Sequence, residues 1–254
     1  DVYKRQAINT SIVGTYPIVP SGGVSGNYAI TYVNGTLTVT KAVLTATANN
    51  QTKVYGDANP ALTIVYTGFK NGETAAVILT PPTASTTATL TSSVGTYPIT
   101  LAGGLNGNYS FTLVDGTLTV TQATIVATAD NKTRVYGDPN PAFTITYTGF
   151  RNGETSAVID LLATATSSAV ATTGVGTYPI VPSGGSDNNY AITYANGTLT
   201  ITQATLTVTA DNQTRAYGDV NPTLTVSYSG FKNSETSAVL TTLPTATTVA
   251  INTS

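Results

Sequence analysis

The segment Val54-Tyr55-Gly56-Asp57 decides how this chain is built, because it returns at a fixed distance. It recurs as Val135-Tyr136-Gly137-Asp138 and as Ala216-Tyr217-Gly218-Asp219, each time 81 residues later and without an insertion or deletion. The segment Gly14-Thr15-Tyr16-Pro17-Ile18 and the pair Asn27-Tyr28 repeat with the same step. Self-similarity at a fixed period is typical of tandem arrays, in which each unit packs mainly against its neighbours. The sequence therefore predicts an array of 81-residue modules.

Threonine dominates the composition, which favours β structure. Of the 254 residues, 53 are Thr, whereas Asp, Glu, Lys and Arg together make 9%. Soluble domains typically carry about 25% charged residues. Thr is β-branched and keeps a hydroxyl in water, so it suits the solvated face of a strand. Apolar residues make 41% of the chain, and the composition therefore predicts a mainly β protein with small cores.

The charge and the missing residue types narrow the classes of function. The net charge is −2 and the pI is near 4.9, which argues against nucleic acid as a partner. No apolar run approaches the length of a membrane span in this fragment. His and Cys are both absent, which removes the usual catalytic triads, zinc sites and disulfides. We therefore expect no enzyme and no catalytic, cofactor or metal site, and the lack of Cys fits an extracellular protein.

The boundaries between modules follow from the alternation of apolar residues. Before Lys41-Ala42 the apolar positions Leu37 and Val39 are odd, and after it Leu44 and Ala46 are even. One uninterrupted strand cannot do this, because a shift of one residue exchanges its two faces. We therefore predict junctions with short linkers there and at the two equivalent positions. The chain then divides into four parts, 1–41, 42–122, 123–203 and 204–254.

The first and last parts are predicted to be incomplete modules, a C-terminal part at 1–41 and an N-terminal part at 204–254. Ala7 to Ser11 recurs three periods later at Ala250 to Ser254, whereas Asp1 to Gln6 matches no other copy and is interpreted as a non-native junction. Neither part alone contains a full core, so we expect either end-to-end association between molecules or frayed termini. The strands are rich in Thr and carry few charges, so few charged side chains protect the sheet edges. Lateral association through these edges is therefore expected as well.

One module, read from Ala42 to Gln122, predicts five or six short strands and one helical turn. Alternating or β-branched residues place the strands at Val43–Ala48, Ala61–Tyr66, Thr83–Thr91, Thr96–Leu101, Asn108–Val114 and Thr117–Thr121. The segment Tyr55 to Pro60 has turn chemistry, and Glu73 to Leu79 has helix formers that begin with an acid. The pair Asp115-Gly116 predicts a β-hairpin between the last two strands, because Asp-Gly accepts positive φ.

Four charged positions recur once per module and are the candidates for a site. They are the bases Lys53/Arg134/Arg215 and Lys70/Arg151/Lys232 and the acids Asp57/Asp138/Asp219 and Glu73/Glu154/Glu235. Paired carboxylates can serve acid–base chemistry, or Ca²⁺, which takes six to eight oxygens. Each acid has a recurring base nearby in the sequence, so we interpret the set as structural ion pairs and Asx turns. The recurring tyrosines are interpreted as core residues rather than as platforms for sugars.

These segments resemble the MBG repeat, the mostly bacterial glycine-rich domain, in its Tyr-Gly type. In one module the matching motifs are Tyr136 to Pro141, Tyr147 to Thr155, Val175 to Ile180 and Asn196 to Thr200. The resemblance covers nearly the whole chain, and the departure at Ser234, where the other copies have Gly, affects a turn. It implies a module of long bacterial surface or secreted proteins, often adhesin-like, without a known catalytic site.

The expected fold is a mainly β tandem array with one short helical turn per module, forming an elongated rod. Each module is expected to be β-grasp-like, with an Ig-like β-sandwich as the alternative. The expected function is a non-enzymatic stalk or spacer of a bacterial cell-surface or secreted adhesin-like protein. The alternative function is weak, multivalent binding of a glycan or a host or matrix protein by the repeats themselves.

Overall fold

The computed structural model describes residues 7–250, which fall into two compact units, 7–123 and 124–250. The interpretation of residues 1–6 as a junction lies outside the described residues. Strands and their connections make up nearly all of the described chain, and its helical segments are single 3₁₀ turns. The prediction of a mainly β chain with repeated modules is confirmed.

The first unit contains nine strands and one 3₁₀ turn in its described residues. They are β1 (Gly14–Ile18), β2 (Gly35–Val39), β3 (Ala42–Ala48), β4 (Gln51–Val54), β5 (Ile64–Thr67), the 3₁₀ turn Ala75–Val77, β6 (Thr83–Thr86), β7 (Gly95–Ala102), β8 (Tyr109–Val114) and β9 (Gly116–Thr121). Strands β1 and β2 form an antiparallel pair of their own.

Strands β3 to β9 form two sheets that pack against each other. In one sheet β3 lies between β5, which is antiparallel to it, and β8, which is parallel; the other sheet has the order β4-β9-β7-β6. Ala46 and Ala48 from the first sheet share a core with Ile99 and Leu118 from the second. A β-grasp wraps one sheet around a helix, so the sandwich alternative, rather than the β-grasp, describes this module.

The connection at Asp115-Gly116 joins the two sheets and is not a hairpin, so this prediction was wrong. Strand β8 pairs with β3, whereas β9 pairs with β4 and β7. The Asp115 carboxylate accepts a hydrogen bond from the backbone N of Leu101 at 3.0 Å. A Cβ on Gly116 would lie 2.6 Å from the carbonyl oxygen of Ala48. Gly is therefore needed for a close backbone approach, not for a positive φ.

The predicted helical turn is present and shorter than expected. It spans Ala75–Val77, and the Thr74 hydroxyl caps it by accepting from the backbone N of Ala76 at 3.5 Å. The preceding turn has a left-handed residue at Asn71, with φ +54°. In the last copy Ser234 keeps the left-handed conformation, with φ +61°, where the other copies have Gly. The departure from the repeat pattern at this position therefore leaves the turn intact.

The second unit repeats this order. Its elements are β10 (Ala123–Ala129), β11 (Lys132–Val135), β12 (Ile145–Thr148), the 3₁₀ turn Ser156–Val158, β13 (Thr164–Thr166), β14 (Gly176–Ser183), β15 (Tyr190–Ala195), β16 (Gly197–Thr202), β17 (Thr207–Ala210), β18 (Val226–Ser229) and the 3₁₀ turn Ser237–Val239. The sheets have the orders β12-β10-β15 and β11-β16-β14-β13, and β17 pairs with β18. Ala129, Ile180 and Leu199 form the equivalent core.

Candidate functional site

The first recurring base is a buried cation that binds backbone carbonyls. Lys53 is only 6% exposed, and its Nζ donates to the carbonyl oxygens of Asp57 at 3.1 Å and Thr89 at 2.5 Å. Arg134 is equally buried and donates to the Val170 carbonyl oxygen at 2.5 Å and to Asn140 Oδ1 at 2.8 Å. These partners of the base are carbonyl oxygens, and its role is therefore structural, as the sequence predicted for the set. Carbonyls satisfy the buried charge because charge-assisted hydrogen bonds offset its desolvation.

The second recurring acid accepts a hydrogen bond from a buried tyrosine. The Tyr109 hydroxyl donates to Glu73 Oε2 at 2.5 Å and accepts from the backbone N of Lys70 at 2.8 Å. Burial raises the pKa of Tyr109, and the hydrogen bond to Glu73 raises it further. Tyr190 donates in the same way to Glu154 Oε2 at 2.6 Å. This acid therefore helps to fix a buried phenol beneath its loop, which is a structural role.

The Tyr-Gly-Asp turn after β11 is held by backbone hydrogen bonds of its own module. Tyr136 N donates to the Thr202 carbonyl at 2.9 Å, and Asp138 N donates to the Val135 carbonyl at 3.1 Å. Gly137 has φ +84°, a conformation that residues with a Cβ rarely adopt. The turn therefore has a defined backbone shape, from which the side chains of Tyr136 and Asp138 extend.

Both of these side chains contact the module that begins at Ala204. Lys232 Nζ lies 2.9 Å from Asp138 Oδ1, and these two side chains are 38% and 43% exposed. The Tyr136 hydroxyl donates to Glu235 Oε1, and this hydrogen bond raises the pKa of Tyr136. An ion pair between recurring charges therefore exists, but it joins residues 94 apart in the sequence. Local spacing gave no signal for it.

Each unit has a cavity beside the loop that carries the second recurring base and its Glu. In the second unit the cavity has a volume of about 410 Å³ and is lined in part by Tyr136, Val175, Leu206, Lys232 and Glu235. In the first unit it has about 170 Å³ and is lined in part by Val13, Thr40, Lys70, Glu73 and Tyr109. Neither lining contains a His or a Cys, because the chain has none.

Metal ligands do not gather in the part of the chain that the structure describes. Within residues 7–250, no group of three or more Asp or Glu side chains is placed to hold a metal ion. Over the same residues, none of the helical segments has the length and apolar character needed to cross a membrane.

The fold, together with recurring charged side chains that bind backbone carbonyls and buried tyrosines, defines a protein made of repeated two-sheet β modules. The model of the MBG domain family (YGX type) matches residues 2–38, 44–119, 125–200 and 206–254. These matches cover most of the chain, which therefore belongs to the MBG family, and the resemblance found in the sequence is confirmed. The chain has no match among curated proteins.

Proposed function

We propose that this chain is a series of non-enzymatic spacer repeats from the stalk of a bacterial cell-surface or secreted adhesin-like protein. Its membership of the MBG family, whose repeats are associated with bacterial surface proteins, supports the setting. The observation that carries the proposal is that the recurring charges serve the fold. Lys53 and Arg134 bind backbone carbonyls, and Glu73 and Glu154 hold buried tyrosines.

A spacer role also accounts for the regular period. In a tandem array, length increases with each copy and no new fold is required. A site for chemistry would instead need side chains that the fold does not already use, and such a set would be under no constraint to recur in every copy. The ion pair between Asp138 and Lys232 spans two copies and joins two positions that recur in the sequence.

Small-angle X-ray scattering on a length series tests the spacer role. The series comprises the chain itself and variants with one or two extra copies of residues 123–203 inserted after Gln203. A spacer predicts the same increase in maximum dimension for each added copy. As a control, a Gly/Ser segment of equal length is inserted at the same position, since its span grows only with about the square root of its length. A radius of gyration near about 18 Å, as for a compact chain of this length, would overturn the proposal.

Direct binding by the repeats is the other outcome to measure. A glycan array probed with the same length series separates the two functions, because several equal weak sites gain avidity with copy number. Saturable binding that increases with each added copy would contradict a pure spacer. No binding at any length is the result expected here.

A further inference from the structure

We propose that the Tyr-Gly-Asp turn is a docking surface whose partner is the Lys-Asn-x-Glu loop of the following repeat. Three adjacent residues, Tyr136 to Asp138, each make a different contact with Lys232 or Glu235. Asp138 forms the ion pair with Lys232, and Tyr136 donates a hydrogen bond to Glu235. The contact thus combines charge, a directional hydrogen bond and packing, which together specify one geometry.

Gly137 supplies the packing part of the contact. A Cβ built on it would lie 2.3 Å from Lys232 Cβ, 2.6 Å from Cγ and 2.9 Å from Cδ. The stem of Lys232 therefore lies directly on the backbone of the turn. Because Lys232 Cβ is attached to the main chain, a rotamer change of Lys232 cannot relieve this clash. A side chain at position 137 would have to push the whole loop away.

The loop that docks is also held in shape by its own module. Glu235 N donates to the Lys232 carbonyl at 2.9 Å. Between them, Asn233 and Ser234 both have left-handed backbones, with φ +53° and +61°. Lys232 and Glu235 are thereby fixed at the two ends of one tight turn. Preformed partners lose little conformational freedom when they associate.

The third copy shows that the docking surface keeps its shape when no repeat covers it. Tyr217 is 97% exposed, whereas the equivalent Tyr136 is half-buried. Gly218 nevertheless has φ +90°, close to the +84° of Gly137. Asp219 N donates to the Ala216 carbonyl at 3.2 Å, as Asp138 N does to Val135 at 3.1 Å. The turn therefore does not depend on its partner, which is what a docking surface requires.

In the first unit the equivalent loop contacts Asn9. Asn9 is equivalent to Ala171, which lies beside the turn because its carbonyl oxygen accepts from Gly137 N at 3.2 Å. Asn71 Nδ2 donates to the carbonyl oxygen of Asn9 at 3.2 Å, so the loop Lys70 to Glu73 lies against the preceding repeat there as well. Glu73 uses Oε2 for Tyr109. Both halves of the contact, the Tyr-Gly-Asp turn and the Lys or Arg with its Glu, recur with the 81-residue period of the sequence.

A matched pair of glycine substitutions in the full chain tests the proposal. Gly137→Ala and Gly218→Ala impose the same backbone strain, because both glycines have a similar positive φ, but only Gly137 faces Lys232. The readout is amide hydrogen exchange of Val226 to Val239 on the millisecond to second timescale. We expect Gly137→Ala to raise exchange there by about tenfold or more and Gly218→Ala to leave it within about twofold. Equal effects of the two substitutions would overturn the proposal.

Gly137→Ala could unfold its own module, and faster hydrogen exchange in β14 and β16 would show this. A charge reversal then serves as the second test. Asp138→Lys should raise exchange in Val226 to Val239, and adding Lys232→Asp should restore most of the protection. Asp219→Lys is the control, because that acid has no following repeat in the described residues. If the double variant exchanges as fast as Asp138→Lys alone, the ion pair does not hold the two repeats together. This result is independent of the scattering series, which tests the spacer role by itself.

Discussion

The two central repeats and the two terminal segments place the same sequence positions in different environments. Ile99 and Ile180 are fully buried, whereas the equivalent Ile18 is 54% exposed. Tyr109 is 3% exposed, and the equivalent Tyr28 is 78% exposed. The local sequence is nearly the same in each case, so local sequence does not decide burial here. The difference lies in which strands are present to cover the residue.

Pairing with distant strands explains this difference. Strand β8 pairs with β3 in parallel, and the segment 28–33, which is equivalent to β8, is not a strand. The described residues before it contain no counterpart of β3. In the same way β4 pairs with β9, and the segment 213–216, which is equivalent to β4, is not a strand. Parallel pairs join strands that are far apart in the sequence, so half a module cannot form them.

The largest effect on stability is expected at a leucine position that occurs in both a central repeat and a terminal segment. Leu118 is fully buried and Leu37 is 42% exposed. Leu118→Ala should lower the free energy of unfolding of its module by about 2 to 5 kcal/mol, because it leaves a cavity, and Leu37→Ala by less than about 1 kcal/mol. Hydrogen exchange of β7 and β9, and of β1 and β2, measures the two changes. Similar losses at both positions would contradict the comparison.

Much of the central repeat could be predicted because its strands carry local patterns. The strands β3, β7, β8 and β9 lie within two residues of their predicted bounds. Strand β4 was missed, because Gln51–Val54 is short and mostly polar and is a strand through its pairing with β9. The Asp115 connection was misread for a related reason: turn chemistry is local, whereas the choice of sheet is set by distant partners.

The sequence predicted which residues belong to the candidate site, but not which residues they contact. Repetition identified all four charged positions, because each of them recurs with the 81-residue period. Nearness in sequence gave no indication of the partners that the structure shows. Lys53 binds carbonyls, and Asp138 pairs with a lysine 94 residues away. A search that pairs the recurring charges of one copy with those of the next copy, rather than with neighbours in the same copy, is the signal that could have found the contact between repeats.

The next effect in size concerns the buried arginine of the central repeat. Arg134 and Arg215 both donate to the Asn of the following turn, at 2.8 and 2.7 Å, but Arg134 is 6% exposed and Arg215 is exposed. Arg134→Ala should cost about 2 to 3 kcal/mol, because it leaves buried acceptors unpaired, and Arg215→Ala less than about 0.5 kcal/mol. Exchange of β14 and β16 against that of β17 and β18 provides the measurement. A cost at Arg215 as large as at Arg134 would show that burial is not the cause.

A smaller effect is expected when a single hydroxyl is removed from each kind of region. Tyr109→Phe deletes the hydrogen bond to Glu73 while the ring keeps its edge contact with Phe69, whose centroid lies 5.8 Å away. We expect a loss of about 1 to 1.5 kcal/mol, and no measurable loss for Tyr28→Phe. Chemical denaturation of the two variants beside the unchanged chain, followed by far-ultraviolet circular dichroism, measures both. A stability for Tyr109→Phe equal to that of the unchanged chain would mean that Glu73 contributes nothing through this bond.

The smallest expected effect is a difference between the two central repeats in how much stability each loses at low pH. Hydrogen bonds from Thr144 and Thr146 hold the pKa of Asp130 below its ordinary value of 3.8, and Lys132 adds to this. The carboxylate therefore stabilises its module above pH 3.8, and this contribution is lost as the pH falls through the lower folded-state pKa. The equivalent Asn49 donates to Thr63 at 2.8 Å and does not titrate. Exchange at pH 5 and pH 3 should show β10 and β12 losing more protection than β3 and β5. Asp130→Asn should abolish that excess, and an excess that persists in this variant would assign the acid response to other carboxylates.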